Sequence, residues 1–130
     1  MIADPISDFI IRLKNASMAG RSSVSLPNSK MKAAIANVLL REGYLADVET
    51  PKKSGAEPLV LTIRYSGTTS AINGVKRISK PSRRMYMGAR DIHPVKRGHG
   101  LVLLSTPQGI LTGKEAQAVR VGGEILFEIW

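Results

Sequence analysis

The sequence predicts an α+β fold made of two small packed modules. Helical spacing of apolar residues is confined to two segments before residue 44. From Tyr44 onward the pattern changes to an alternation of two, the period of a half-buried strand. A stretch rich in Ser, Thr and Gly, residues 66–74, then separates two runs of elements. The first module, residues 1–67, reads α-β-α-β-β. Residues 68–73 are a linker. The second module, residues 74–130, reads mainly β with one short helix.

Asp4-Pro5 opens the first helix, with an N-cap acceptor followed by proline at the first helical position. Ile6, Phe9, Ile10 and Leu13 form its apolar stripe, and Arg12 and Lys14 lie off it. Residues 22–26 alternate as a short strand until Pro27-Asn28-Ser29 interrupts them. Ser29 caps a second helix with an apolar face of Met31, Ala34, Ile35, Val38 and Leu39, and Gly43 stops it. Residues 44–50 and 59–65 read as strands joined by a hairpin loop over 51–58. The second strand places Leu59, Leu61, Ile63 and Tyr65 on one face and Val60, Thr62 and Arg64 on the other. Two helices can cover one face of such a three-stranded sheet. In the second module residues 75–79, 101–105 and 123–130 read as strands, and Phe127, like Phe9, falls on a core face. Thr112-x-x-Glu115 has the spacing of a capping box, so a short helix starts at Thr112.

Composition narrows the function. A chain of 130 residues with 43% hydrophobic content can bury a core, unlike a disordered basic tail. Nineteen Lys and Arg against ten Asp and Glu give a net charge of +9, which draws the protein to polyanions. The absence of cysteine excludes disulfide scaffolds, thiolate zinc sites and thiol catalysis. No basic segment followed by an apolar run opens the chain, and Ile2 stands where myristoylation needs glycine. The longest apolar run, residues 101–104, is far short of the roughly 20 residues that span a bilayer. A soluble, cytoplasmic protein follows. No heptad or sustained apolar surface stripe predicts a partner copy, so a monomer is expected.

Catalytic signatures are weak. His93 and His99 are the only histidines and lack zinc-ligand spacing, and no G-x-S-x-G elbow occurs. Residues 109–115 approach a phosphate loop, but the interval between Gly109 and Gly113 is one residue short. Glu115 also stands where the loop needs a hydroxyl. A phosphate-handling enzyme on this turn is one alternative function. No cofactor is implied.

Charge is uneven. Residues 1–67 carry nine basic and six acidic side chains, and residues 68–130 carry ten and four. Between residues 76 and 97, Lys76, Arg77, Lys80, Arg83, Arg84, Arg90, Lys96 and Arg97 face the single acid Asp91. Such a cluster either solubilises a surface or contacts phosphates, and its single sign favours phosphates. Tyr86 lies among these cations, where it either stacks on a base or packs. Ser105-Thr106 ends a strand before a turn; its hydroxyls either shape that turn or meet a base edge or 2′-hydroxyl. Only six residues are aromatic, fewer than serial base stacking needs, so structured RNA suits the composition better than single strands. A DNA-binding architectural protein is the remaining alternative.

Three ordered segments carry a family resemblance. The first is Asp4-Pro5-Ile6-Ser7-Asp8 leading to Arg12-Leu13-Lys14-Asn15-Ala16. The second is Arg77-Ile78-Ser79-Lys80-Pro81 with Arg84 and Tyr86. The third is Ser105-Thr106 with Gly109, Thr112 and Glu115-Ala116, then Gly122-Gly123-Glu124-Ile125-Leu126 and Trp130. Over essentially the whole chain this resembles the bacterial small-subunit ribosomal protein S-eight family. The resemblance implies an α/β module packed on a mainly β one and direct binding to the central domain of 16S ribosomal RNA. It further implies a role in platform assembly, contacts with the neighbouring proteins S-five and S-twelve, and in some members repression of their own operon. The resemblance matches Ser105, Thr106 and Gly109 to the family's RNA-contacting loop and Glu124 to the acid that helps hold it, and Tyr86, Arg84, Arg83, Lys80, Arg77, Lys30, Arg12 and Asn15 complete the expected RNA-binding set. Pro107 departs from the family's Ser-Thr-Ser loop and lacks both hydroxyl and N–H. Gln108 stands where a basic residue is common.

Overall fold

The computed structural model describes residues 4–50, 58–93 and 100–130. Residues 51–57 of the hairpin loop predicted over 51–58, together with Lys96, Arg97 and His99, lie outside the described residues. The chain divides into two compact units, residues 9–73 and residues 74–130 together with 1–8. The fold is α+β, as the sequence predicts.

The unit of residues 9–73 holds most of helix α1 (Pro5–Met18), then β1 (Ser23–Leu26), α2 (Lys30–Arg41), β2 (Leu45–Glu49), β3 (Leu59–Ile63), β4 (Tyr65–Ser66) and β5 (Thr69–Ser70). The first three strands form an antiparallel sheet in the order β1-β3-β2. Leu59, Leu61 and Ile63 are buried, on the face that alternation predicts. Phe9, Ile10, Leu13 and Ala16 bury the α1 stripe. Ser29 caps α2 by accepting the Lys32 N–H at 3.1 Å. The buried face of α2 differs from the prediction: Ile35, Ala36, Val38 and Leu39 are buried, whereas Met31, in the first turn, is 38% exposed. Tyr65 also leaves its predicted strand. It starts the small β4–β5 hairpin instead, and its hydroxyl donates to the Arg21 carbonyl at 2.6 Å. The turn residue Gly67 has φ +65°, open to glycine without strain.

The other unit is built on a five-stranded antiparallel sheet: β6 (Val75–Arg77), β7 (Tyr86–Met87), β8 (Leu101–Thr106), β9 (Gly109–Thr112) and β10 (Gly123–Ile129), with helix α3 (Gly113–Ala118). β10 is the central strand. β8 pairs along one of its edges, and β6 and then β7 share the other. One sheet face packs Val102, Leu104 and Ile125 with Ile92 and Ala116. The capping box is present: Thr112 Oγ1 accepts the Glu115 N–H at 3.2 Å, and Glu115 Oε1 accepts the Thr112 N–H at 3.0 Å.

The resemblance of residues 109–115 to a phosphate loop ends here. They are strand β9 running into α3, and a Cβ on Gly113 would stand 2.7 Å from Val102 Cγ1. Gly113, where a phosphate loop needs its backbone open to the ligand, is instead packed against β8.

Candidate RNA interface

The register of β10 assembles most of the predicted site. Glu124 pairs with Tyr86 of β7 on one side and with Ser105 of β8 on the other. Directly opposed residues in antiparallel strands project to the same face. Tyr86, Glu124 and Ser105 therefore form one row across the end of the sheet. The glycine pair lets the strands close there: a Cβ on Gly122 would lie 2.4 Å from the Met87 carbonyl oxygen, and one on Gly123 2.2 Å from that of Ser105.

Each member of the row has a distinct state. Tyr86 is 67% exposed, which leaves its ring available for stacking. The Glu124 carboxylate accepts the hydroxyl of Ser79 and takes Arg84 Nη1 at 3.0 Å. Ser79, fully buried, also accepts the Met85 N–H at 3.1 Å, so it closes the base of the segment leading to Tyr86. Burial raises the pKa of Glu124, but the hydrogen bonds from Ser79 and Arg84 outweigh it and hold the carboxyl below its ordinary value. Glu124 thus stays charged and fixes Arg84, which remains half exposed. Its link to the Ser105 loop is strand register; its side chain serves the Ser79–Arg84 side.

Ser105 and Thr106 do not act as a pair. Successive strand residues point to opposite faces, so their hydroxyls diverge. Thr106 Oγ1 donates to the Gly109 carbonyl at 2.8 Å and accepts the Gln108 N–H at 3.1 Å, which folds the Pro107-Gln108 turn. Gly109, with φ +106°, completes that turn in a conformation glycine adopts without strain. Ser105 is half-buried, and its hydroxyl makes no side-chain hydrogen bond among the described residues. Of the two hydroxyls it is the one not spent on the turn.

The predicted cations also separate. Arg77 is buried to 8% exposure and committed: Nε and Nη2 lie 3.2 and 3.3 Å from the Asp4 carboxylate, and Nη1 donates to the Leu126 carbonyl. It is a structural residue in this conformation. Lys80 and Arg83 are exposed at the ends of a tight turn, Pro81-Ser82, closed by two backbone hydrogen bonds between them of 3.0 and 2.9 Å. Arg12 and Asn15 are exposed three residues apart on α1, and Lys30 is exposed at the start of α2; all three belong to the other unit. Counted over the two units, ten basic side chains meet six acidic ones and nine meet four, because Asp4 and Asp8 join the later unit. The charge asymmetry between halves disappears. The local concentration around residues 76–84 remains. Sequence reasoning missed Ser79, whose burial and two partners give no local signal. No group of metal-ligating side chains occurs among the described residues, and none of their helices is long and apolar enough to cross a membrane.

The model of the family "Ribosomal protein S8" matches residues 4–130. The chain belongs to this family. It is therefore a structural, non-enzymatic constituent of the small ribosomal subunit. Its relatives include the "Small ribosomal subunit protein uS8" of Nitratidesulfovibrio vulgaris, 44% identical over 130 residues and covering all of both chains. That of Persephonella marina is 45% identical over 136 residues, again over both whole chains. That of Roseiflexus castenholzii is 44% identical, covering 99% of this chain and 98% of its own. Membership of the family implies association with the ribosome and its RNA.

Proposed function

We propose that this S8 family member binds the central domain of 16S ribosomal RNA through the Tyr86–Glu124–Ser105 row and the cations beside it. The observation that carries this reading is the row itself: an exposed ring, an arginine held by a charged carboxylate and an uncommitted hydroxyl lie side by side. The chemistry fits a shallow minor groove, where 2′-hydroxyls and base edges accept short donors and phosphates accept arginine. Lys80, Arg83 and Arg84 position the RNA by its phosphates, and Ser105 reads. Thr106 and Gly109 shape the loop that brings Ser105 forward. Arg12, Asn15 and Lys30 supply further contacts from their own unit. In the cell the protein is cytoplasmic, organises the platform, adjoins proteins S-five and S-twelve, and is a monomer when isolated. The same face would hold a matching messenger-RNA structure and so repress its own operon.

The test titrates Ser105→Ala, Thr106→Val and Arg84→Ala against a central-domain RNA fragment and a scrambled helix at several salt concentrations. Ser105→Ala should cost about 1 kcal/mol on the cognate RNA alone, with the salt slope unchanged. Arg84→Ala should weaken both RNAs and flatten the log–log slope by about 0.7–0.9. Equal weakening of both RNAs by Ser105→Ala would show that this hydroxyl does not read.

A further inference from the structure

A second feature lies at the edge of β10 where β6 gives way to β7. Lys76, Arg77, Ile78, Lys80, Arg83 and Met85 line an open pocket of about 280 Å³. That volume sits just below the ~300 Å³ lower end of small-ligand sites, which limits an occupant to about the size of a single nucleotide. Four of its six lining residues are cations and none is an acid. Lys76, Lys80 and Arg83 are exposed and make no ion pair among the described residues; the cross-strand neighbour of Lys76 is Glu128. Lys80 and Arg83 stand directly opposite each other across the turn. Like charges so placed repel, and an anion between them relieves that repulsion. Ile78 and Met85 give the pocket a partly buried apolar floor, and methionine adapts to flat ring faces.

The polar groups nearest the floor are all occupied. The Ser79 hydroxyl serves Glu124 and Met85, and the Arg77 guanidinium serves Asp4 and Leu126. The lining therefore holds no neutral polar side chain to read a base edge, only cations and apolar groups. We infer that this pocket holds one unpaired nucleoside 5′-phosphate, its phosphate on Lys76, Lys80 and Arg83 and its base against Ile78 and Met85, without regard to base identity. Two sources share this chemistry: a free nucleotide and a nucleotide extruded from bound RNA. The second rests on the RNA-binding function proposed above.

The full chain, with methyl groups of Ile78 and Met85 isotope-labelled, tests this by NMR. Titration with AMP should shift both methyls to saturation, while adenosine or inorganic phosphate alone should bind far more weakly. AMP, GMP, CMP and UMP should agree within about threefold, as sequence-tolerant stacking does. Lys80→Ala with Arg83→Ala should weaken AMP by about fivefold, the loss expected for two exposed charge contacts. Its melting temperature should not change, because the turn is closed by backbone hydrogen bonds. Unmoved methyls, adenosine binding as tightly as AMP, or a strong preference for one base would each overturn the proposal. An RNA duplex with a single-nucleotide bulge, compared with the same duplex without it, separates the sources. If only the bulged duplex and AMP shift the methyls, the occupant comes from RNA. If AMP shifts them and the bulged duplex does not, the RNA origin is overturned. Methyls silent to AMP while cognate RNA affinity still depends on Ser105 would remove the pocket and leave the interface standing. The reverse pattern would remove the interface.

Discussion

Gly123→Ala tests the claim that close strand approach builds the candidate site. The added Cβ would lie 2.2 Å from the Ser105 carbonyl oxygen, 3.0 Å from its carbon and 3.1 Å from Thr106 Cγ2. Real Cβ contacts do not fall below 3.0 Å, so β8 must retreat by at least 0.8 Å. The obstruction is backbone, which cannot rotate aside. A ladder hydrogen bond of about 2.9 Å stretched that far, to about 3.7 Å, is no longer a bond. Overpacking costs about 1–3 kcal/mol and the lost bond about 1 kcal/mol more. At this chain length the sum of about 2–4 kcal/mol lowers Tm by on the order of 10 °C. Gly88→Ala is the control: its nearest neighbour would be Asp91 Oδ2 at 3.6 Å, and its φ of −75° suits alanine. Thermal unfolding followed by circular dichroism should show a large fall for Gly123→Ala and little change for Gly88→Ala. Amide shifts at Ser105 and Thr106 should accompany the fall. A Gly123→Ala protein melting within 2–3 °C of the parent, less than about 1 kcal/mol on this scale, would refute the reasoning.

Asp4 both caps α1, through the Ser7 N–H at 3.1 Å, and neutralises Arg77. Asp4→Asn keeps the cap and should cost about 1 kcal/mol; Asp4→Ala loses both and should cost about 2–3 kcal/mol by urea unfolding. Equal costs would mean that the cap contributes nothing, and an Asp4→Asn protein as stable as the parent would mean the same of the ion pair. Acid stability should depend on Asp4 and Glu124. Burial raises both carboxyls, but Ser7 and Arg77 hold Asp4, and Ser79 and Arg84 hold Glu124, below their ordinary values of 3.8 and 4.5. The native state then binds fewer protons than the unfolded one as pH falls past those values. Their stabilisation is complete above about pH 5 and is lost as the pH drops through the lowered native pKa values. Urea midpoints from pH 7 to pH 2 should show this fall, and Asp4→Asn with Glu124→Gln should flatten it. Thr112→Ala removes the cap of α3 and should cost about 1 kcal/mol, read as a lower Tm.

Elements governed by neighbours in sequence were legible. The Asp4-Pro5 start, the Ser29 cap and the Thr112–Glu115 box all depend on contacts three residues apart, and all are present. The stripe of α1 and the alternation of β3 also follow from local period. Met31 departed because the period alone does not say where burial of a helix face begins. β7 and β9 were invisible for a different reason. Tyr86–Met87 is two residues long, and its strand character comes from pairing with Gly123 and Glu124 on β10. Gly109–Thr112 looked like a loop because glycine opens it, yet it pairs with β8.

The candidate site was legible as a set of residue types and illegible as an arrangement. Counting cations treats Arg77, Arg83 and Arg84 as equal. Their partners, Asp4 and Glu124, are 73 and 40 residues away, so no local pattern could sort them. Geometry gives three classes: Arg77 is sequestered, Arg84 is held yet half exposed, and Lys80 and Arg83, at a turn, make no ion pair among the described residues. The hydroxyls sort in the same way. Ser105 and Thr106 are adjacent in sequence, but strand alternation sends one toward Glu124 and Tyr86 and leaves the other to close its own turn. A contact surface is therefore smaller than its composition suggests, since part of its charge and half of this hydroxyl pair are spent on shape. That division also accounts for the tolerance of Pro107. The turn is held by Thr106 Oγ1 and needs nothing from residue 107's hydroxyl or N–H, so proline fits where neither is used.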